Sequence, residues 1–168
     1  MPLSLYDASV PVFQRALGNL DAILRKGEEH AAAAGLDLAE LASARLAPDM
    51  FALTGQVQSA CDSAKFAAAR LTGTDAPSFP DTETTFEELH QRIAATRDYL
   101  ASVDPAGFEG SETRAIVQKS RRGERHFVGT SYLLTFALPN FFFHVTTAYD
   151  ILRHKGVPVG KMDYLGAP

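Results

Sequence analysis

Four stretches of the chain place apolar residues three and four positions apart, the pattern of helices that bury one face. The sequence predicts these helices over about residues 9–35, 49–71, 84–103 and 139–155. Each apolar stripe needs a partner, and packing four such helices together is the natural solution. With 168 residues the chain has the length of one domain, so we expect a single all-α bundle over 1–168.

Capping residues predict where the helices begin and end. Ser9 is expected to cap the start of the first helix, and Gly35 to end it. Thr84 and Glu87 have the spacing of a capping box at the start of the third helix. Gly156 fits the left-handed position that closes the last helix.

Between the third and fourth helices the helical period breaks. Residues 114–128 contain two short extended runs around Arg122-Gly123, which predict a small β-hairpin. Four basic residues lie near its tip: Lys119, Arg121, Arg122 and Arg125. We interpret them as a solvated edge that discourages strand pairing, with binding of an anionic ligand or nucleic acid as the alternative.

Composition narrows the classes of function. The net charge of -4 argues against a nucleic-acid partner. The longest apolar run, FALPNFFF, is too short for a membrane span, and the first residues lack a signal-peptide pattern. We therefore expect no membrane partner and a cytoplasmic location. The lone cysteine, Cys61, fits a reducing compartment and is expected to be an inert core thiol rather than a nucleophile.

His144 is the most informative polar residue, because it follows three phenylalanines in the middle of the last helix. On a helical wheel centred on Phe141, His144 and Asn140 lie together on one edge of the apolar face. Tyr149 lies on the other edge.

The same wheel on the second helix places Asp49 and Gln56 on one edge of its stripe. We therefore expect Asp49, Gln56, Asn140 and His144 to meet in a small polar pocket at the margin of the core. Buried polar groups need hydrogen-bond partners, so one interpretation is a structural network that fixes helix register. The other is a pocket for an unidentified small molecule.

The sequence also predicts the surroundings of Phe143, of His90 and of the residues after the last helix. Phe143 points away from Phe141, and we favour its cover by the hairpin or the C-terminal arm, with a dimer surface as the alternative. A homodimer is the predicted assembly. His90 is expected to face solvent. The residues after the last helix are expected to form an arm anchored by Tyr164 and Leu165.

Three stretches carry a family resemblance: LYDASVPVF, LAPDMF and ALPNFFFHVTTAYDILRHKGVPVGKMDYLG. With the order of the elements, they resemble a bacterial family of unknown function within the DinB/YfiT-like four-helix-bundle superfamily. The resemblance implies an up-down-down-up bundle, with a small β-hairpin between helices 3 and 4.

Many members of that superfamily look like metalloenzymes that use three histidines, one on the second helix and an H-x-x-x-H pair on the last. His144 matches the second histidine of that pair, but Asn140 stands at the first, and Gln56 is the polar residue of the second helix best placed to face inward. An amide oxygen is a poor ligand for zinc or nickel. The sequence therefore predicts a degenerate triad with no metal and no cofactor.

Two functions remain open at this point. The first is a non-catalytic, dimeric bundle protein with a small polar pocket around His144. The second is a metal-dependent thiol S-transferase-like or hydrolase-like enzyme, as the resemblance implies. There His144 would be a ligand or general base, and Asn140 and Gln56 would orient it. Asp49 or Tyr149 would complete that pocket.

Overall fold

A computed structural model describes residues 3–120 and 123–167, and it is mostly helical with one small antiparallel hairpin. The helices are α1 (Val10–Ala34), α2 (Leu38–Ala42), α3 (Leu53–Thr72), α4 (Phe86–Ser102), α5 (Gly129–Tyr132), α6 (Leu138–His154) and α7 (Lys161–Leu165). The strands are β1 (Ala115–Ser120) and β2 (Gly123–Val128). Two 3₁₀ turns, Pro105–Phe108 and Ser111–Thr113, lie between α4 and β1, and a π-helical segment, Leu133–Ala137, joins α5 to α6.

The four long helices pack together around the apolar core. α1 and α3 each contact both α4 and α6. Phe13 of α1 and Phe141 of α6 meet edge to face in this core, with ring centroids 4.8 Å apart. The predicted helical stripes therefore bury one another, as their spacing requires. No helix in the described part of the chain has both the length and the apolar character needed to cross a membrane.

The start of α1 differs from the prediction in one respect. Ser9 does stand at the N-cap position, but its side chain makes no capping hydrogen bond. The hydroxyl instead donates to the carbonyl of Leu5, 2.5 Å away, because the preceding residues already form a turn. The expected end is confirmed, since Gly35 closes the helix in the left-handed conformation.

The second long helix, α3, begins later than expected. Its first residue is Leu53, so the predicted start at Asp49 is wrong. The backbone after Pro48 forms a tight turn, in which the N–H of Met50 donates to the carbonyl of Ala47. Asp49 therefore lies exposed in a turn before the helix.

The capping box of α4 lies one residue after the predicted pair of Thr84 and Glu87. Thr85 is the N-cap, and its hydroxyl accepts a hydrogen bond from the backbone of Glu88. The Glu88 carboxylate accepts in return from the backbone N–H of Thr84 and Thr85, and these bonds lower its pKa. Two threonines precede two glutamates here, so both registers have the required spacing, and the sequence alone does not choose between them.

The predicted hairpin is confirmed. β1 and β2 pair antiparallel, with Ile116 opposite Phe127 and Gln118 opposite Arg125. Ile116 is buried, which holds the hairpin against the helices. Two residues of the expected basic tip, Arg121 and Arg122, lie outside the described residues.

The last long helix ends as the sequence predicts. Gly156 has a φ of 90°, its N–H donates to Arg153, and the N–H of Val157 donates to the carbonyl of Leu152 at 3.1 Å. This is the Schellman arrangement, in which a left-handed glycine lets the chain satisfy the last carbonyls of a helix.

The C-terminal arm lies along α1. Asn19 donates to the carbonyl of Tyr164 at 3.0 Å, and Lys26 pairs with Asp163 at 2.6 Å. Tyr164 is partly buried against the core, whereas Leu165 is 45% exposed and is not the second anchor we expected. The arm and the hairpin also leave Phe143 55% exposed, so the expected intramolecular cover of this ring is wrong.

Candidate functional site

Gln56 and His144 meet where α3 packs against α6. The side-chain oxygen of Gln56 lies 2.8 Å from Nδ1 of His144, and Gln56 is only 1% exposed. The amide nitrogen of Gln56 donates to the carbonyl of Phe51 at 3.2 Å, which orients the amide. Its oxygen therefore faces the ring, and Nδ1 must be the donor.

This hydrogen bond determines the chemistry of the ring. Burial lowers the pKa of His144, so the neutral form is favoured. With a proton on Nδ1, the neutral ring carries its lone pair on Nε2. Nε2 of His144 makes no hydrogen bond with any residue that the structure describes.

Asn140 lies one helical turn before His144 and has different partners. Its amide nitrogen donates to the hydroxyl of Ser63 at 2.7 Å, and that hydroxyl donates to the carbonyl of Ser59 at 2.6 Å. Asn140 therefore links α6 to α3 through a serine rather than through Gln56 or His144.

The remaining two predicted site residues lie elsewhere. Asp49 is exposed in the turn before α3 and does not line the cleft described below. Tyr149 packs edge to face with Tyr164 of the C-terminal arm, with ring centroids 6.1 Å apart. Of the five predicted residues, the structure brings Gln56, Asn140 and His144 to the seam between α3 and α6 and leaves Asp49 and Tyr149 outside it.

A cleft of about 270 Å³ opens along this seam, beneath the hairpin. One wall comes from α3: Ser59, Asp62, Ser63, Phe66 and Arg70. The opposite wall comes from α5, the π-helical segment and α6: Tyr132, Phe136, Ala137, Asn140 and His144. Gln118 and Lys119 of β1 line the remaining side. The cleft thus has polar groups around His144 and an aromatic region around Arg70.

Sequence reasoning missed a cluster of buried charges beside this cleft. Lys65 of α3 and Arg92 of α4 are both buried, and both form ion pairs with the same oxygen of Asp62, at 2.9 and 2.8 Å. Arg92 also pairs with Glu83 at 3.0 Å and with Asp81 at 3.1 Å. Burial alone would raise the pKa of Glu83, but hydrogen bonds from its own backbone N–H, from Gln58 and from Arg92 lower it.

The same cluster holds the loop that precedes α4. The ring of Phe79 lies 4.8 Å from the Lys65 ammonium and 5.4 Å from the Arg92 guanidinium. A signal for this cluster was present in the sequence. Lys65 lies four residues after Cys61 and three before Ala68, on the apolar stripe itself, so a helical wheel places its charge inside the core.

Two further side chains have clear outcomes. His90 was expected to face solvent, but it is only 14% exposed and lies between two carboxylates on α1, Asp21 at 2.5 Å and Glu28 at 2.9 Å.

The expected core thiol is confirmed. Cys61 is fully buried, and burial raises its pKa to about 12, which disfavours the thiolate that a nucleophile requires.

Comparison with known proteins identifies the family. Residues 5–165 match the family model described as domain of unknown function (DUF1993). The chain belongs to this family. This DUF1993 chain is 47% identical in sequence to a DinB family member protein from Shewanella denitrificans. The fold of that protein's crystal structure matches with a TM-score of 0.93. The match covers 98% of this chain and 93% of that one. No curated protein matches the chain.

The side chains of this DUF1993 protein do not fit the three-histidine metal centre that the sequence resemblance implied. Asn140 points its amide N–H at Ser63, and the oxygen of Gln56 is bonded to His144. The described residues contain no group of three or more histidine, cysteine or acidic side chains placed to hold a metal ion. An imidazole with two amides lacks the donors that zinc or nickel requires.

Proposed function

We propose that this DUF1993 protein binds a small molecule in the cleft along α3 and α6, and that His144 recognises it without a resident metal ion. The hydrogen bond between Gln56 and Nδ1 of His144 is the observation that carries this proposal. It directs the lone pair of the neutral ring to Nε2, the nitrogen with no described partner. The DinB-like bundle, with its proposed up-down-down-up order, supplies the rigid walls.

A neutral imidazole with a free Nε2 accepts a hydrogen bond from a bound O–H, N–H or S–H group. The same geometry suits a general base, because the orienting residue holds the ring while the second nitrogen takes a proton. Binding is the part of this proposal that the geometry supports best. The metal-dependent alternative lacks a set of ligands among the residues that the structure describes.

A fragment screen by NMR tests the proposal. We expect a subset of neutral and charged fragments to shift the ring resonances of His144 and the backbone amides of the cleft. His144→Ala should abolish these shifts, while His154→Ala, at an exposed position of the same helix, should leave them unchanged. Elemental analysis of the freshly purified protein should find no stoichiometric transition metal. The proposal fails if no fragment perturbs the cleft at millimolar concentration, or if the His144 variant binds as well as the wild type.

The proposal includes a homodimer. Phe143 and Leu134 are 55% and 54% exposed, and a contiguous patch of such apolar side chains marks a contact surface. A second copy of the chain is the partner we propose, because it would cover a ring that neither the hairpin nor the arm covers.

A further inference from the structure

The guanidinium of Arg70 lies at the aromatic end of the cleft. It packs over the rings of Phe66 and Tyr132, at 5.0 and 5.7 Å, and donates to the Tyr132 hydroxyl at 2.9 Å. Among residues 3–120 and 123–167, no carboxylate pairs with Arg70. The aromatic contacts hold the side chain in place and leave its other N–H groups without a described acceptor.

The other charges of the cleft are already compensated. Asp62 is the one acidic residue of the described lining, and Lys65 and Arg92 both form ion pairs with its Oδ1 from outside the cleft. Lys119 lies at the exposed rim and pairs with Glu124 at 3.4 Å. Arg70 is therefore the one cation of the described lining that lacks an acidic partner.

The surroundings of Arg70 also indicate what the rest of the ligand is like. Phe66, Tyr132 and Phe136 give this end of the cleft aromatic walls, and the rings of Tyr132 and Phe136 lie 5.9 Å apart. The wall formed by α3 runs from Ser59 to Arg70, which is about 16 Å at 1.5 Å per residue. Arg70 and His144 thus lie toward different ends of an elongated cleft.

We propose that the ligand of this cleft is a small organic anion, a carboxylate or a phosphate monoester with an apolar or aromatic body, whose acidic group binds Arg70. This inference rests on the proposed function and specifies its ligand class. A planar guanidinium matches the oxygens of either acid, and bonds between charged partners are stronger than neutral ones. The acid therefore binds at Arg70, and a donor group of a longer ligand reaches Nε2 of His144.

Benzoate and phenyl phosphate are the probes that test this inference, with benzamide as the neutral match for benzoate. We expect both anions to shift the Nε–H resonance of Arg70 saturably in ¹⁵N-labelled protein, and benzamide at equal concentration to leave it in place. The tighter of the two anions identifies which acid the cleft prefers.

Variants complete the test. Arg70→Gln should weaken binding of the anions about tenfold or more, since it removes a charge-assisted bond. Arg70→Lys keeps the positive charge, so its affinity for the anions should fall less than that of Arg70→Gln. Arg25→Gln removes an equal charge from the surface of α1, outside the cleft, and should leave the affinity for the anions unchanged. Backbone amide spectra of each variant establish that it is folded.

Two results would overturn the inference. Equal binding of benzamide and benzoate, or unchanged affinity in the folded Arg70→Gln variant, would show that the cleft does not select anions. In that case fragments that still shift His144 would leave the proposed function standing. Failure of all three probes would overturn the anion inference, whereas failure of the whole fragment screen would overturn the proposed function as well.

Discussion

The guanidinium of Arg92 and the carboxylate of Asp62 form an ion pair of 2.8 Å that joins α4 to α3. The Arg92 side chain is only 2% exposed, and the Lys65 ammonium forms an ion pair with the same carboxylate oxygen. Arg92 also pairs with Asp81 and Glu83 and so holds the loop before α4 in place. This cluster therefore connects two helices and a loop beside the cleft.

Arg92→Met should destabilise the protein strongly. Removing the guanidinium leaves Asp62 and Glu83, which are 29% and 12% exposed, with fewer partners, and the loss of such charged hydrogen bonds costs about 2 kcal/mol or more. Urea unfolding followed by circular dichroism would measure the loss in the free energy of unfolding.

The matched control for that experiment is Arg25→Met. Arg25 pairs with Asp21 on the surface of α1, with its side chain 62% exposed, so the expected loss is below about 1 kcal/mol. Equal losses in the two variants would mean that the buried cluster contributes no more than a surface pair.

His144 should make stability depend on pH. Its folded pKa lies below the usual 6.5 because burial disfavours the charged ring. As the pH falls through the unfolded-state pKa, the unfolded chain takes up a proton that the folded protein does not. The free energy of unfolding therefore decreases over that range.

His144→Gln removes this titration, so the stability difference between wild type and variant should shift against the wild type from about pH 7.5 to about pH 5. Chemical denaturation at several pH values measures it, and an NMR titration of the ring gives the pKa directly. A pKa at or above that of free histidine would contradict the burial argument.

The register of the capping box can be tested at two adjacent threonines. Thr85→Ala removes the side chain that accepts from the backbone of Glu88, and it should cost about 1 kcal/mol. Thr84→Ala should cost less, because its backbone N–H still donates to the Glu88 carboxylate. Thermal unfolding would show which variant loses more stability. A larger loss of stability in Thr84→Ala would contradict the observed register.

Phe143→Ser tests the proposed dimer. Because the ring is more than half exposed, the substitution should leave the stability of the monomer nearly unchanged while weakening self-association. Analytical ultracentrifugation of wild type and variant over a range of concentrations would detect the difference. Lys161→Ser, at an exposed position of α7, is a suitable control. A wild-type protein that stays monomeric throughout would refute the dimer.

Sequence periodicity predicted the long helices and the hairpin because each repeats a local signal several times along the chain. It also placed Gln56 and His144 at facing edges of two stripes, and the structure joins them by a hydrogen bond. Asp49 was misplaced because the helix start depends on one tight turn after Pro48, which periodicity does not reveal.

The buried charges escaped prediction for a different reason. Lys65 and Arg92 are charged residues on apolar faces, and their burial depends on partners from other elements, including the loop residues Asp81 and Glu83. His90 was misread in the same way, since its carboxylate partners Asp21 and Glu28 lie on a different helix. Whether these charged side chains are buried depends on contacts between segments that are distant in the sequence, and local periodicity does not predict those contacts.

The π-helical segment between α5 and α6 has a consequence for how this chain tolerates insertions and deletions. The N–H of Leu138 reaches back five residues to Leu133, one more than in an α-helix, so the segment holds a surplus residue. Deleting one residue there would convert the segment to regular α-helix and would leave the residues on either side facing as they do now. Tyr132 would stay against Arg70 while Asn140 and His144 stayed in register with α3. The loss of one codon is therefore tolerated at this point, whereas the same loss within α6 would rotate one part of that helix by about 100° relative to the other.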